Sequence, residues 1–316
     1  MSISVLLLSA FTFVELNCEN LFDCAHDSLK NDYQFLPTSE RQWTTYRYWD
    51  KLNNIGRELI SCGDDSTSTE WTLPDMMALC EVENDSVMRD LTKRSLLRKA
   101  GYQYVMTNSG DARGIDVALV YSPMSFALIH HISFRLPSSP DMRATRDILY
   151  VSGVISHGDT LHVYVVHAPS RVGGERQSRP HRMVMAATLC TAIDSLRDIS
   201  PEANIIVAGD FNDYATDSAV VKICRDARLM NISAHACGQN GAKATYRYKG
   251  EWGSLDQILL SSNLTALVES CRINDAPFLL EEDKKYGGVL PRRTFIGYRF
   301  NNGYSDHLPL VLRFGQ

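Results

Sequence analysis

A chain of 316 residues exceeds the usual single-domain length, but no Pro/Gly/Ser-rich linker, low-complexity run or internal repeat divides it, so one domain over 1–316 with a core at about 11–314 is expected. Its formal net charge of -5 excludes a general nucleic-acid coat protein, while leaving room for a carboxylate cluster that binds divalent cations. The eight cysteines form no CxxC pair and no zinc-ligand spacing, and are read as reduced and structural.

Residues 4–10 are apolar, but no Lys or Arg precedes them and the run continues directly into residues 11–14. A cytoplasmic protein is therefore favoured over an exported one with a truncated signal. No other segment approaches the roughly 20 apolar residues that a membrane span needs. Residues 11–16 read as a strand that ends in Asn17, whose neutral carbonyl oxygen suits a metal or phosphate contact. Residues 41–62 place Trp43, Leu52, Ile55 and Leu59 at helical spacing, a packing face. After Pro74 a short strand at 76–79 runs into Glu81, a second candidate ligand, with Glu83 the weaker one. Asn84 or Asp85 caps a helix expected through Lys99 and closed by Gly101. Strands at 103–106 and 115–121 flank a polar stretch, and Asp116 interrupts the second apolar run. A buried carboxylate needs a partner, so a His or Arg is expected beside it.

Further strands are read at 126–136, 148–155 and 161–167, the last ending at His167. The loop 171–182 gathers Arg171, Arg176, Arg179 and Arg182 with two flexible glycines, where an anion can be gripped, and Pro180 is expected to start a helix. Residues 205–208 are four apolar residues, a strand buried on both faces. Gly209 then lets the chain turn into Asp210, Phe211, Asn212 and Asp213. Two carboxylates and an amide at a strand end can aim oxygen at a hard metal ion, although a polar turn with Asp213 capping the next helix gives the same pattern. A helix is expected at 216–229. Residues 245–252 mix Tyr246, Arg247, Tyr248 and Trp252, as suits base stacking or an ordinary hairpin. Asp256 stands at a strand start where packing gives no reason for a charge, and Asp306 and His307 precede the final strand. Any one of these signals is weak; the recurrence of strand end plus polar group is not.

In order and local sequence, Asn17, Glu81, His167, Asp210 with Asn212, Asp256 and Asp306-His307 resemble the endonuclease/exonuclease/phosphatase superfamily. The resemblance implies a four-layer α/β sandwich, two mixed β-sheets packed face to face with helices outside. It implies Mg²⁺ or Mn²⁺ held by Glu81 with Asn17 and Asp306, and a water oriented or deprotonated by Asp210. Asn212 would hold a phosphate oxygen, His307 oriented by Asp256 would contact the scissile phosphate, and His167 would stabilise the pentacovalent state or assist the leaving group. Arg113, Arg171, Arg176, Arg182 and Arg247 are the expected substrate contacts, and Asp116 is expected to orient His167. The expected activity of a monomer is hydrolysis of a phosphodiester, with a nucleic acid as first choice of partner and a small phosphorylated metabolite or lipid head group as the alternative. No extended Lys/Arg stripe of the kind that tracks a DNA backbone is present.

Overall fold

The computed structural model describes residues 11–63, 71–137, 142, 144–156 and 158–315, so the apolar segment 4–10 lies outside the described residues. In chain order its main strands are β1 (Phe11–Leu21), β2 (Met76–Val82), β3 (Gln103–Met106), β4 (Asp116–Tyr121), β5 (Phe126–Phe134) and β6 (Ile148–Ile155). These are followed by β7 (Thr160–His167), β8 (Asn204–Asp210), β9 (Leu229–Asn231), β10 (Asp256–Ser261), β11 (Val268–Ile273) and β12 (Leu310–Phe314). The main helices are α1 (Thr45–Ser61), α2 (Asp85–Lys93), α3 (Glu175–Ile199) and α4 (Ser218–Asp226).

Two six-stranded sheets result, ordered β11-β12-β1-β2-β4-β3 and β5-β6-β7-β8-β10-β9. Each has one parallel pair at its centre, β1 with β2 and β7 with β8, and antiparallel neighbours on either side. Side chains alternate across a strand, so each sheet has two apolar faces to bury. Phe13, Met76, Ala78 and Leu119 of the first sheet meet Val163, Val165, Ile206 and Ile258 of the second in one shared core. On the outer face of the first sheet Val14 and Leu16 pack with Leu52, Ile55 and Leu59 of α1. On the outer face of the second, Ile205 and Val207 pack with Leu189 and Ile193 of α3. The architecture is therefore the expected four-layer α/β sandwich. No helix among the described residues is long and apolar enough to cross a membrane. All eight cysteines are free, and Cys18, Cys62, Cys80 and Cys190 are buried.

Several boundaries differ from those expected. The first strand runs on to Leu21, because β2 continues to pair with it beyond a register shift between Asn17 and Leu21. The helix expected to start at Pro180 begins at Glu175, where Ser178 Oγ bonds the carbonyl of Gly174. Pro180 stands sixth in α3, past the first turn, and so removes one backbone donor from the helical ladder. The helix expected through Lys99 breaks after Lys93 and resumes as a 3-10 turn at Leu96–Lys99, with Asn84 as its cap accepting from Val87 N at 3.0 Å.

Candidate active site

The inward-facing row of each central strand is apolar along most of its length and turns polar at the same end. On β7 the row is Val163, Val165 and His167; on β8 it is Ile206, Ala208 and Asp210; on β10, running the other way, it starts at Asp256 and continues to Ile258 and Leu260. On β1 the row is Phe11, Phe13, Glu15 and Asn17. Register aligns His167 with Asp210, and Asp210 with Asp256. The polar residues are thus the continuation of the core, and they converge at the carboxyl ends of the parallel strands, where ligand sites of α/β sheets form. A cleft of about 580 Å³ opens there, walled by Asn17, His167 and Asp210 of these rows and by Tyr214, Tyr246 and Tyr248.

Glu81 follows a different rule. Alternation would turn it away from Cys80 and out of the inner row, but β2 carries a register shift between Cys80 and Val82, and Glu81 has φ 60°. The bulge re-aims its side chain into the cleft. One carboxylate oxygen, Oε2, accepts from Asn20 N at 2.8 Å. The other lies 3.9 Å from His167 Nε2 and 3.8 Å from Arg113 Nη2.

Asp210 accepts from Asn17 Nδ2 at 3.0 Å and from the backbone N of Asn212 at 2.7 Å. Burial, with the Asp256 carboxylate adding to it, pushes Asp210 up to about 7. His307 Nδ1 bonds Asp256 Oδ2 at 2.8 Å, and that carboxylate also accepts from Thr245 Oγ1. Burial alone would favour the neutral imidazole, but Asp256, reinforced by Asp210 and Asp306, holds His307 well above its ordinary value. Its ring lies on Tyr246 with centroids 4.9 Å apart. His167 is driven the other way: burial, then Arg146 and Arg113, hold it well below the ordinary value, and its Nε2 stands 3.6 Å from Asp210 Oδ2. The site therefore sets an imidazole whose charged form is favoured opposite one whose neutral form is favoured, with a carboxyl pushed up to about 7 between them.

Asp210, Asp256 and His307 form a buried group whose ligand atoms lie within 4.8 Å of one another, close enough to hold a metal ion. His307 Nδ1 is, however, already bonded to Asp256 Oδ2, and that carboxylate favours the charged imidazole over the neutral form that a metal would need. Glu81 fits a hard cation better, since its Oε1 accepts no hydrogen bond among the described residues and its side chain is 13% exposed. Asn17 and Asp306 line the same cleft, although Asn17 Oδ1 also accepts from Glu19 N and Asp306 Oδ2 pairs with Arg293 Nη2 at 2.7 Å. An all-oxygen set suits Mg²⁺ or Mn²⁺ chemistry.

Asn212 lines the cleft with φ 48°, its Nδ2 donating to the carbonyl of Ala168 at 3.1 Å. Three of the expected substrate contacts are placed elsewhere. Arg182 is fully buried and donates Nε to Asp213 Oδ1 at 2.5 Å, tying α3 to the loop after β8. Arg247 donates to the carbonyls of Gly250, Val289 and Gly287, fastening the hairpin Tyr246–Gly253 to the segment 287–289. Arg176 is exposed in the first turn of α3 and does not line the cleft. Arg171 does line it, stacked 4.2 Å over Tyr214, but its charge is shared with Asp217 and Asp213. Arg113 remains 45% exposed beside Glu81. Asp116 does not meet His167: Thr107 Oγ1, at 2.5 Å, and Ser109 N, at 3.0 Å, satisfy its carboxylate from the adjoining loop, while His167 Nδ1 has no partner among the described residues.

Sequence reasoning missed Glu15, buried in the inner row of β1 with neither oxygen hydrogen-bonded among the described residues. Burial, then Asp256 and Asp210, push its carboxyl well up. The signal was available, since a charge inside an apolar strand is what singled out Asp116. Arg293, which bridges Asp306 and Glu19, and buried Arg146 gave no comparable signal.

A family model described as Endonuclease/Exonuclease/phosphatase family matches residues 12–316. A search of curated proteins finds no match. Among solved structures, an endonuclease/exonuclease/phosphatase family protein of Bacteroides thetaiotaomicron is 13% identical with a TM-score of 0.60, over 96% of this chain and 97% of that one. Truncated Caenorhabditis elegans TDP2 is 16% identical with a TM-score of 0.60, over 98% of each. The Bacteroides thetaiotaomicron mannosyl-6-phosphatase Bt3783 is 14% identical with a TM-score of 0.61, over 96% of this chain and 98% of that one. The chain belongs to the endonuclease/exonuclease/phosphatase family of phosphoester hydrolases.

Proposed function

We propose that the protein is a divalent-metal-dependent phosphodiesterase that acts on a short or single-stranded nucleic acid. The observation that carries this reading is the cleft itself, in which carboxylates, two histidines with opposed charge preferences and three tyrosines face one space. Asp210, once ionised, takes a proton from the water that attacks phosphorus, and Asn17 and the Asn212 backbone fix its orientation. His307 presents its free Nε2–H to a phosphate oxygen, held in that orientation by Asp256. His167, kept neutral, donates or accepts a hydrogen bond on the leaving-group side, and Asn212 holds a second oxygen. A Mg²⁺ or Mn²⁺ ion bound by Glu81 with Asn17 and Asp306 would supply Lewis-acid neutralisation of the phosphate. Tyr214, Tyr246 and Tyr248 offer faces for a base or sugar.

The commitment of Arg182 and Arg247 to internal contacts leaves few cations for a long backbone, which favours a short substrate over duplex DNA. It also supports a second reading, a phosphatase acting on a small phosphorylated metabolite, as does the likeness to a mannosyl-6-phosphatase. Hydrolysis of bis(p-nitrophenyl) phosphate with Mg²⁺ or Mn²⁺, abolished by EDTA, is expected. A panel of oligonucleotides, plasmid DNA, RNA and sugar phosphates then separates the readings; turnover of monoesters with no cleavage of any nucleic acid would overturn the first.

A further inference from the structure

Beside the cleft lies a second cavity of about 410 Å³ that the chemistry above does not use. Its polar lining is Arg113, Thr145, Arg146, Ser170 and His181, with Asp111 as the one carboxylate. Val172 lines both spaces, and Arg113 borders the second cavity while its guanidinium stands 3.8 Å from Glu81 in the first. The linings are tied through Ala168, whose carbonyl accepts from Arg146 Nη2 of the second cavity at 2.5 Å and from Asn212 Nδ2 of the cleft at 3.1 Å.

Two features show that this cavity is built for an anion. Asp111 pairs with Arg146 Nη1 at 3.2 Å and leaves the second guanidinium, that of Arg113, with only longer contacts, to Asn20 Oδ1 at 3.5 Å and to Glu81. The cavity thus carries one more guanidinium than carboxylate. In addition, Thr145 Oγ1 and Arg146 Nε are buried with no hydrogen-bond partner among the described residues, although Arg146 is only 6% exposed. Unpaired buried donors are costly, and an oxyanion in the cavity supplies acceptors where the chain supplies none.

We propose that the second cavity is a subsite for a further phosphate group of the substrate, next to the scissile phosphate, gripped by Arg113 and Thr145 with Arg146 behind them. This rests on the phosphodiesterase reading and deepens it: the enzyme recognises a substrate with two neighbouring phosphates. The experiment compares a thymidine dinucleotide with the same dinucleotide carrying a 5′- or a 3′-terminal phosphate, at one Mg²⁺ concentration. One phosphorylated form is expected to show kcat/KM about tenfold higher, the scale of one charge-assisted hydrogen bond. Arg113→Gln and Thr145→Val should each bring that ratio toward one, and Arg113→Lys should restore most of it. Because the ratio is read, any effect of Arg113 on Glu81 cancels. A wild-type ratio near one, or a ratio unchanged in both variants, overturns the proposal. If no phosphoester is hydrolysed at all, the phosphodiesterase reading fails, and crystals of the metal-free protein soaked in tungstate decide the subsite separately. An anomalous peak within hydrogen-bond reach of Arg113 and Thr145 supports it, and none there overturns it.

Discussion

Asp210→Asn tests the electrostatics of the site without needing a substrate. In the unfolded chain this carboxyl ionises near 3.9, whereas in the folded protein burial and the Asp256 carboxylate raise it to about 7. The folded state therefore keeps a proton that the unfolded state has released over roughly pH 4 to 7, and stability falls as pH rises through that window. Between about pH 5.5 and about pH 9 the wild type should lose about 2 kcal/mol from this group, at about 1.4 kcal/mol for each pH unit below 7. An amide cannot ionise, so the variant escapes that loss. It gives up one of the two accepted bonds, to Asn17 Nδ2 or Asn212 N, which costs about 1 kcal/mol at any pH and cancels when the two pH values are compared. With roughly 2.1 cal/mol/K of unfolding entropy per residue over 316 residues, about 2 kcal/mol corresponds to about 3 °C in Tm. Urea and thermal unfolding in EDTA at the two pH values provide the assay. A stability difference between variant and wild type that does not change with pH would refute the assigned protonation of Asp210.

Three further outcomes are expected. Glu81→Gln should raise the Mg²⁺ needed for half-maximal rate; an unchanged requirement in a titration removes Glu81 from the ligand set. Arg182→Ala should destabilise the protein by about 3 kcal/mol by leaving buried Asp213 with only Arg171 at 3.5 Å, measurable by urea unfolding, and a loss below about 1 kcal/mol would return Arg182 to the substrate contact first expected of it. Asp256→Asn should lower the titration point of His307 in the metal-free protein, followed by imidazole NMR. Because the folded value is raised, the stability His307 contributes is present below about pH 6.5 and lost as pH rises through that folded value, and an unmoved His307 titration would refute the pairing.

The residues that continue an apolar row were legible in the sequence. His167, Asp210 and Asp256 each interrupt a buried strand at a place where packing alone gives no reason for a polar group, and the alternation that buries the core also aims them. Glu15 obeyed the same rule and was overlooked. The partners of charged side chains were not legible, because they depend on which loops meet in space. Arg182 and Asp213 are paired across 31 positions, Arg146 and Asp111 across 35, and nothing in local composition distinguishes such an arginine from one that faces a substrate. Asp116 shows the converse: it needed a partner, as the burial argument required, but found two hydrogen-bond donors within its own hairpin. Of the basic loop, Arg182 went to an internal ion pair and Arg176 to an exposed turn of the helix that begins at Glu175 rather than Pro180.

Backbone strain was the least legible feature, and four of the eight described non-glycine residues with positive φ lie at or beside the cleft. Asn20, Glu81 and Asn212 line the cleft with φ of 54°, 60° and 48°, and Glu19, which holds the Arg293 that pairs with Asp306, has φ 49°. For residues with a Cβ this conformation costs on the order of 1 kcal/mol each. Asn tolerates it; Glu does not favour it, and no sequence pattern announces it. What maintains Glu81 there is the mutual bracing of two bulged strands, Asn20 N on β1 bonding Glu81 Oε2 on β2, while the regular pairing on either side of the shift fixes both. Relaxing the bulge would return Glu81 to ordinary alternation and turn it out of the cleft. Strain at Glu81 and repulsion among Glu15, Asp210 and Asp256 therefore act in the same direction. Both lower the stability of the bare protein at the site, and the repulsion would be relieved by a bound cation, whose binding would thus be coupled to the stability of the strand ends that hold it.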